Sequence, residues 1–470
     1  MADEPVAAPA LDLAGRRKVH VTNVGGAGMS AVATLLVQMG HAVTGHDPSP
    51  GSPFLAGLRA LGVPIASGAE ATVPDDADAV VVSTATPAEH PDVLAAHGAS
   101  IPVLHRSAAL AAICAQRPVV AAVAGTHGKT TTSALLATLL HGAGTDPGWI
   151  VGARVAGLGS SAEWGGAGPL VVEADESDGT FLALGAHTAI VTNVEPDHLE
   201  HWGGEQALRQ GFVDFVAGLT GRAVLCADDP GAAALVPSAR DAVTYGTTLG
   251  SDYELHDITA DGTGVRFELR HGTERVAVSV PAAPGAHNAR NAAAALALAH
   301  GLGIPLEAGA AALRGFRGVA RRFEVRGEAA SVVFVDSYDH LPTEIAAALA
   351  AARAGHWRRV VCCFQPHRYS RTQNLWRTFA HAFVDADLLV VTDIYPAGES
   401  PRPGVTGKLI VDAVLDAHPW SEVAWIPTLD AAAIYLADRL RPGDLCITLG
   451  AGDLTALPDR LIPLVEARAR

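Results

Sequence analysis

Lysine is nearly missing from this 470-residue chain: it stands only at 18, 129 and 408, arginine having taken the other basic positions. Cysteine is also scarce. The five cysteines, at 114, 226, 362, 363 and 446, form no C-x-x-C pair and are odd in number, which argues against a disulfide framework or a cysteine zinc site and suits reduced thiols. No apolar run approaches ~18 residues, and the opening MADEPVAAPALDLAG has no basic n-region. No membrane insertion or secretory signal is therefore expected, and a cytoplasmic location is. Positive charge falls short of negative by 33 residues to 49, a net charge of −16. That disfavours a nucleic-acid or anionic-membrane partner, so any phosphate site must be a local pocket.

What is abundant is the alternation of short apolar runs with Ala/Leu-rich helical stretches, the pattern of α/β units with parallel sheets. At about 150 residues per domain the length suggests three domains. The expected divisions are a disordered tail at 1–17, then domains at 18–116, 117–319 and 320–470.

The most informative stretch is VVAAVAGTHGKTTTSALLATLLH, 119–141. Val119 to Ala124 has strand length, and leucines at 135, 136, 139 and 140 mark one face of a helix. Between them Gly125-Thr126-His127-Gly128-Lys129-Thr130 forms a loop in which glycines admit close backbone approach and the helix start offers N–H groups to an anion. Lys129 would sit on the β/γ-phosphates, and Thr130 or Thr131 would offer a hydroxyl to Mg²⁺. Val123 occupies the usual first glycine of a P-loop. A lysine retained here among so many arginines points to a task that arginine cannot perform; Lys129 is expected to neutralise phosphate charge and not to pack.

Upstream, His20 to Ser30 is another strand, glycine turn and helix, with Gly25, Gly26 and Gly28 in the turn, Asn23 where a dinucleotide fingerprint has glycine, and Asp47 ending the next strand 19 residues after Gly28. The strands near 79–84 and 102–105 end in polar residues, among them His105, Arg106 and Ser107. Downstream of the P-loop, Glu173, Asp175, Glu176 and Asp178 follow one strand, and Asn193, Asp197 and His198 follow another. Hard oxygen ligands beside a phosphate loop suit Mg²⁺. His287, Asn288 and Asn291 open an Ala-rich helix. In the last third, four strands end in polar loops rich in Arg, His and Asp, at 336–344, 365–371, 393–399 and 450–452. In a parallel sheet these loops share one rim.

Taken together, GTHGKTTT, EADESD, TNVEPDHLEH, HNARN, ARRFE, FQPHRYSRT and IYPAGE resemble the Mur ligases, and within them the branch that adds L-alanine to UDP-N-acetylmuramate. The resemblance implies three domains: a Rossmann-like N-terminal domain that binds the UDP-sugar, a central P-loop ATPase with a mixed sheet, and a Rossmann-like C-terminal domain that binds the amino acid. It implies an ATP- and Mg²⁺-dependent amide ligase of peptidoglycan precursor synthesis, working through an acyl phosphate as a monomer or homodimer. Residues 125–131 would hold the phosphates, with Thr130, Glu173 and His198 on the metal. Asn193 would support that region, and His287, Asn288 and Asn291 would face the nucleotide base. One arginine of the Arg321-Arg322 pair, by preference Arg322, would face the γ-phosphate, and Asp336 the ribose. Arg368 or Arg371 would take the amino-acid carboxylate, beside Tyr338 and His340. Gly25, Gly26, Gly28, Asp47, His105 and Ser107 would bind UDP.

Three positions depart from the family pattern. Asn23 replaces a glycine, Asp339 a small residue, and Leu341 the second histidine of His-His-Pro-Thr-Glu. Leu341 would present an apolar surface to the amino acid and shift its preference toward larger side chains. No lysine lies between 129 and 408 to form the carbamate of several sibling ligases. Alternatives are a paralogue joining another amino acid or carboxylate, a dinucleotide-dependent oxidoreductase using the first domain, and a non-catalytic regulator.

Overall fold

Apolar runs of four to six residues between glycine turns build the sheets of this protein, seen in a computed structural model that describes residues 11–52 and 54–469. The first sheet contains β1 (Lys18–Thr22), β2 (Ala42–His46), β3 (Ile65–Ala66), β4 (Ala79–Val82) and β5 (Val103–His105) in the order β3-β2-β1-β4-β5. Its pairs are all parallel. The order reverses at β1, so the loop after β1 opens at a topological switch point, where such sheets bind ligands.

The second sheet adds β6 (Val120–Ala124), β7 (Gly148–Ile150), β8 (Ala162–Glu163), β9 (Leu170–Glu173), β10 (Thr188–Val191), β11 (Ala223–Cys226), β12 (Ala242–Gly246), β13 (Tyr253–Ala260), β14 (Gly264–His271) and β15 (Glu274–Pro281). The strand order is β15-β14-β13-β12-β11-β10-β6-β9-β7-β8. β6 lies between β10 and β9, parallel to both, with Val123 beside Glu173 and Ala124 beside Val191. The loops after β6, β9 and β10 therefore leave the same edge. The helix that follows β6, Lys129–Gly142, is buried on nearly every side, as its Ala/Leu composition requires.

The third sheet consists of β16 (Glu324–Ala329), β17 (Val332–Ser337), β18 (Arg359–Phe364), β19 (Leu388–Val391), β20 (Val423–Trp425) and β21 (Asp444–Leu449), ordered β16-β17-β21-β18-β19-β20. Only β16 is antiparallel. Alternate residues feed separate cores on its two faces: Val335, Cys362 and Ile447 on one, Phe334, Cys363 and Cys446 on the other, as the period of two requires. All five cysteines are buried and unbridged. Burial pushes the Cys114 and Cys446 thiols up to about 12, which leaves them protonated and unreactive at pH 7.

The chain forms two compact units. One comprises residues 1–255, 269–276 and 290–313, the other 256–268, 277–289 and 314–470. The first therefore carries the β1 sheet and the strands around β6, the second the β17 sheet. Of the tail expected to be disordered at 1–17, residues 1–10 lie outside the described residues. Disorder does not extend to Leu11 and Leu13, which are buried, because two leucines two positions apart can cover one apolar surface. No described helix is long and apolar enough to cross a membrane.

Candidate active site

The loop between β6 and its helix is shaped by backbone conformations that favour glycine. Gly125 has φ +127° and Gly128 φ +83°, the region in which a Cβ is strained. A Cβ on Gly128 would lie 2.9 Å from Asn291 Oδ1, so Asn291 stands directly over the turn. Asn193 clasps the loop twice, accepting from the His127 N–H at 2.7 Å and donating to the His127 carbonyl at 3.1 Å. Its contribution is to hold the loop open. The N-cap, Gly128, has no side chain to satisfy the first helical turn, which leaves that turn suited to an anion.

Lys129 does not hang free in this loop. Its Nζ donates to the carbonyls of Gly125 and Thr126 at 2.7 and 3.2 Å and to Glu176 Oε1 at 2.8 Å. The Glu176 side chain is 3% exposed and that of Lys129 15%. Lys129 therefore packs, contrary to the expectation of a purely electrostatic role. Burial raises the Glu176 carboxyl to about 7, against the opposing pull of Lys129. Lys129 itself is held above its ordinary range: burial works against its charge, but the carboxylates of Glu176, Asp175 and Glu173 outweigh it. Glu176 was not singled out in the sequence because nothing in E-x-x-E spacing says which acid folds back on the lysine.

Thr130 Oγ1 donates to Glu173 Oε1 at 2.9 Å, and the other carboxylate oxygen accepts the Gly152 N–H at 2.6 Å. A hydroxyl and a carboxylate at this spacing, with further acids behind them, fit a hard divalent cation such as Mg²⁺. His198 starts the short helix after β10, with φ +53°, and its Nε2 lies 3.4 Å from Asp197 Oδ2. It leaves the same sheet edge as Thr130 and Glu173. Of the remaining lysines, Lys18 pairs with Asp76 and Lys408 with Asp412, both at exposed positions. With both paired to aspartates at exposed positions and Lys129 already engaged, activity is expected to be the same in carbonate-free buffer as with bicarbonate added. A loss restored by bicarbonate would show that a carbamylated lysine is needed.

In the first sheet, Asn23 adopts φ +53°, a conformation asparagine tolerates, and accepts the Gly26 N–H at 3.1 Å. The tight turn survives without glycine. Asp47 accepts the N–H groups of Gly25 and Ser49 at 2.7 and 2.8 Å and is buried, so it shapes the loop. His105 Nδ1 is 2.8 Å from Ser107 Oγ and its Nε2 3.1 Å from Thr84 Oγ1, so the pair at 105 and 107 is tied together locally. Arg106, between them, reaches Asp178 at 3.0 Å and fills the space in front of Gly28, where a Cβ would meet its guanidinium at 2.6 Å. Arginine among polar strand-end residues was the available signal for it.

The third sheet brings Tyr338, His340, His367 and Arg371 together. The His340 ring lies 5.5 Å from Tyr338 and 5.6 Å from His367, and Arg371 donates to His367 Nδ1 at 3.0 Å. Burial, with the charges of His340, Arg371 and Arg368, pushes His367 down to about 3. It is thus a neutral acceptor at pH 7. Burial also lowers His340, despite Glu344 nearby. His340 Nδ1 faces the Tyr338 carbonyl at 3.1 Å, which places the ring proton there and leaves Nε2 as a base. Arg368 is exposed at φ +68°. His367 lay within a motif of interest, but burial, which makes it neutral, is not visible in a sequence.

Asp336 is 1% exposed, and its oxygens accept from Thr448 and Thr455 hydroxyls at 2.7 and 2.6 Å, with Arg321 Nε 3.5 Å away. These contacts brace it at the end of β17. Arg321 is further anchored on the Gly450 and Gly452 carbonyls at 2.7 and 3.2 Å. Arg322 lies 5.2 Å from the Tyr338 ring and 4.0 Å from Asp339, the better placed of the two to reach a ligand. Asn288 donates to the Pro284 carbonyl at 2.7 Å, and the His287 ring packs against Gly285; both secure the entry to helix Ala286–Gly301.

Leu341 is only 9% exposed, so it does not present an apolar surface to the rim. Leu341→His would put a polar ring into that position. The expected result is a loss of about 1–3 kcal/mol in stability with the ranking of amino-acid substrates unchanged, read from denaturant melts and kcat/KM values. A reversal of that ranking would put residue 341 in the substrate pocket.

Fold and site define an ATP-dependent carboxylate–amine ligase, with a P-loop lysine and acid cluster on the second sheet and an Arg/His rim on the third. Three family models match in sequence order: "Mur ligase family, catalytic domain" over residues 18–118, "Mur ligase middle domain" over 123–299 and "Mur ligase, glutamate ligase domain" over 321–452. The chain belongs to the Mur ligase family. It is 45% identical over 454 residues to the UDP-N-acetylmuramate–L-alanine ligase of Anaeromyxobacter dehalogenans, covering 96% of this chain and 98% of that one. It is 43% identical to the enzyme of the same name from Myxococcus xanthus, covering 96% and 95%. The crystal structure of UDP-N-acetylmuramate–alanine ligase from Thermotoga maritima is similar with a TM-score of 0.83 at 28% identity, covering 96% and 100%.

Proposed function

We propose that the protein joins L-alanine to the carboxylate of UDP-N-acetylmuramate at the expense of ATP, a step of peptidoglycan precursor synthesis carried out in the cytoplasm. The observation that carries this reading is the Lys129–Thr130–Glu173 constellation at one sheet edge, in a chain similar over 96% of its length to ligases of that name.

The chemistry asks the protein mainly for positioning and charge neutralisation. Residues 125–131 hold the phosphates, and Lys129 leaves Glu176 to neutralise the charge on the transferring group. Thr130, Glu173 and His198 would hold Mg²⁺, which supplies further neutralisation of phosphate charge when bound. Arg322 meets the γ-phosphate. The substrate carboxylate takes that phosphoryl group, and ADP leaves. The α-amine of L-alanine, held through its carboxylate by Arg368 or Arg371, then attacks the acyl carbon and phosphate departs. The ammonium of L-alanine must shed a proton before it attacks, a base role that suits His340 Nε2. Gly25, Gly26, Gly28, His105 and Ser107 form the UDP-binding loop, with Asn291 toward the nucleotide.

The oxidoreductase alternative loses its main support with Asp47, whose carboxylate is committed to Gly25 and Ser49. The paralogue reading weakens because Asn23 keeps its turn and Leu341 is buried. ADP release across a matrix of UDP-sugars and amino acids tests the assignment. UDP-N-acetylmuramate with L-alanine should give the highest kcat/KM; a clear preference for another pair would replace it.

A further inference from the structure

Beneath the glycine turn of the first sheet lies a polar cluster that the ligase chemistry does not use. Asp92 is completely buried, and His20 and His46 are 1% and 2% exposed. Three donors converge on one oxygen of Asp92, His46 Nδ1 at 2.9 Å, Thr22 Oγ1 at 3.2 Å and His20 Nε2 at 3.4 Å, while His90 Nδ1, 3.8 Å from that oxygen, accepts the Asp92 backbone N–H at 3.2 Å. The other oxygen accepts the Thr72 N–H at 2.9 Å. A carboxylate oxygen has two lone pairs, so three donors exceed what hydrogen bonding alone can fully satisfy. One donor atom each from His46, His90 and Asp92 lies within 4.8 Å of the others, close enough for one ion to gather all three.

We propose that His46, His90 and Asp92 form a binding site for a divalent transition metal, of which Zn²⁺ is the best match, separate from the Mg²⁺ site of the P-loop. Two imidazoles and a carboxylate suit Zn²⁺ and disfavour Mg²⁺ or Ca²⁺. The surroundings fit the same reading. His46 Nε2 lies 3.0 Å from the Gly68 carbonyl and His20 Nδ1 2.9 Å from Thr44 Oγ1. An outer N–H donated to a backbone carbonyl is the usual way to fix the tautomer of a metal-binding histidine, leaving the inner nitrogen as a ligand. His90 Nδ1 accepts the Asp92 N–H at 3.2 Å, so that nitrogen carries a lone pair, which would turn from this cap to the ion.

Such an ion would tie the end of β2 to the helix Pro91–Gly98. His46 immediately precedes Asp47, the residue that holds the Gly25 N–H. The site is therefore structural, bracing the nucleotide loop from below.

The test uses the full-length protein stripped of metal and titrated calorimetrically with Zn²⁺ alone in 10 mM Mg²⁺, so that the P-loop site is competed. Wild type should take up one equivalent, and its Tm should rise. His90→Gln, a change at the least buried ligand, should fold and lose that equivalent, and His46→Gln should lose it too. Co²⁺ should give a visible d–d absorption in wild type that His90→Gln lacks. If wild type shows no Mg²⁺-resistant equivalent, or if His90→Gln keeps both the equivalent and the absorption, the cluster is a buried histidine–aspartate ion pair only and the proposal fails. The readouts do not depend on ligase turnover, so they stand apart from the proposed activity.

Discussion

Lys129→Ala is expected to lower kcat for ligation by about 10²–10³-fold, the range seen when one preorganised donor to a developing charge is removed. Lys129→Arg should also be poor, because a planar guanidinium cannot occupy the position of a compact ammonium between the Gly125 carbonyl and Glu176. The alanine variant should also change the dependence of stability on pH. Glu176 is held near 7 in the fold, above its ordinary value of 4.5. The unfolded chain therefore releases this proton at lower pH than the fold does, and stability declines as pH rises across that window. Without Lys129 the buried carboxylate loses its nearest positive charge, its titration moves higher, and the decline extends above pH 7. Denaturant melts at pH 6 and pH 9 should show a larger gap for Lys129→Ala than for wild type, and Lys129→Ala/Glu176→Gln should close it. Near-normal turnover in Lys129→Ala would remove the P-loop assignment.

The second large effect belongs to Gly125. A Cβ there would lie 2.2 Å from Thr192 Oγ1 and 2.9 Å from the Asn193 carbonyl, at φ +127°. Thr192 cannot swing away cheaply, since its hydroxyl donates to the His127 carbonyl at 2.6 Å. Gly125→Ala combines overpacking of about 1–3 kcal/mol with backbone strain of about 1–3 kcal/mol. It should lower Tm markedly and abolish ATP-dependent turnover, because relief can come only by moving the phosphate loop. Gly26→Ala makes a useful contrast: its Cβ meets nothing nearer than 3.5 Å, so it should fold normally. Equal stability of the two variants would show that the loop is not built around Gly125.

These contrasts explain what could be read from the sequence. Strand, loop and helix at 119–141 were legible because apolar run length, glycine spacing and leucine periodicity are local signals, and the same holds for the four polar loops of the third sheet. Thr130 and Glu173 were legible as a pair because a hydroxyl after a P-loop lysine and a carboxylate at a strand end share a chemistry. The hydrogen-bond partners of Asp47 and Asp336 are not legible, because a carboxylate at the end of a strand looks the same whether it faces a ligand or a group of the protein. Which partner it has depends on tertiary packing. The sequence names Glu176 and Arg106 and includes His367 in a polar loop, but assigns none of the three a role of its own. Their roles arise from contacts across the fold, to Lys129, Asp178 and Arg371 respectively, and no spacing rule encodes those contacts. The buried histidine cluster assembles residues from 20 to 92 and has no linear signature.

The central claim is that the substrate carboxylate is activated by phosphoryl transfer before the amine attacks. It is tested most directly with UDP-N-acetylmuramate carrying ¹⁸O in both carboxylate oxygens, incubated with ATP, Mg²⁺ and L-alanine, followed by mass analysis of the products. The acyl-phosphate route transfers one ¹⁸O to the released phosphate and leaves one in the amide product. Phosphate released without label, alongside amide formation, would contradict it.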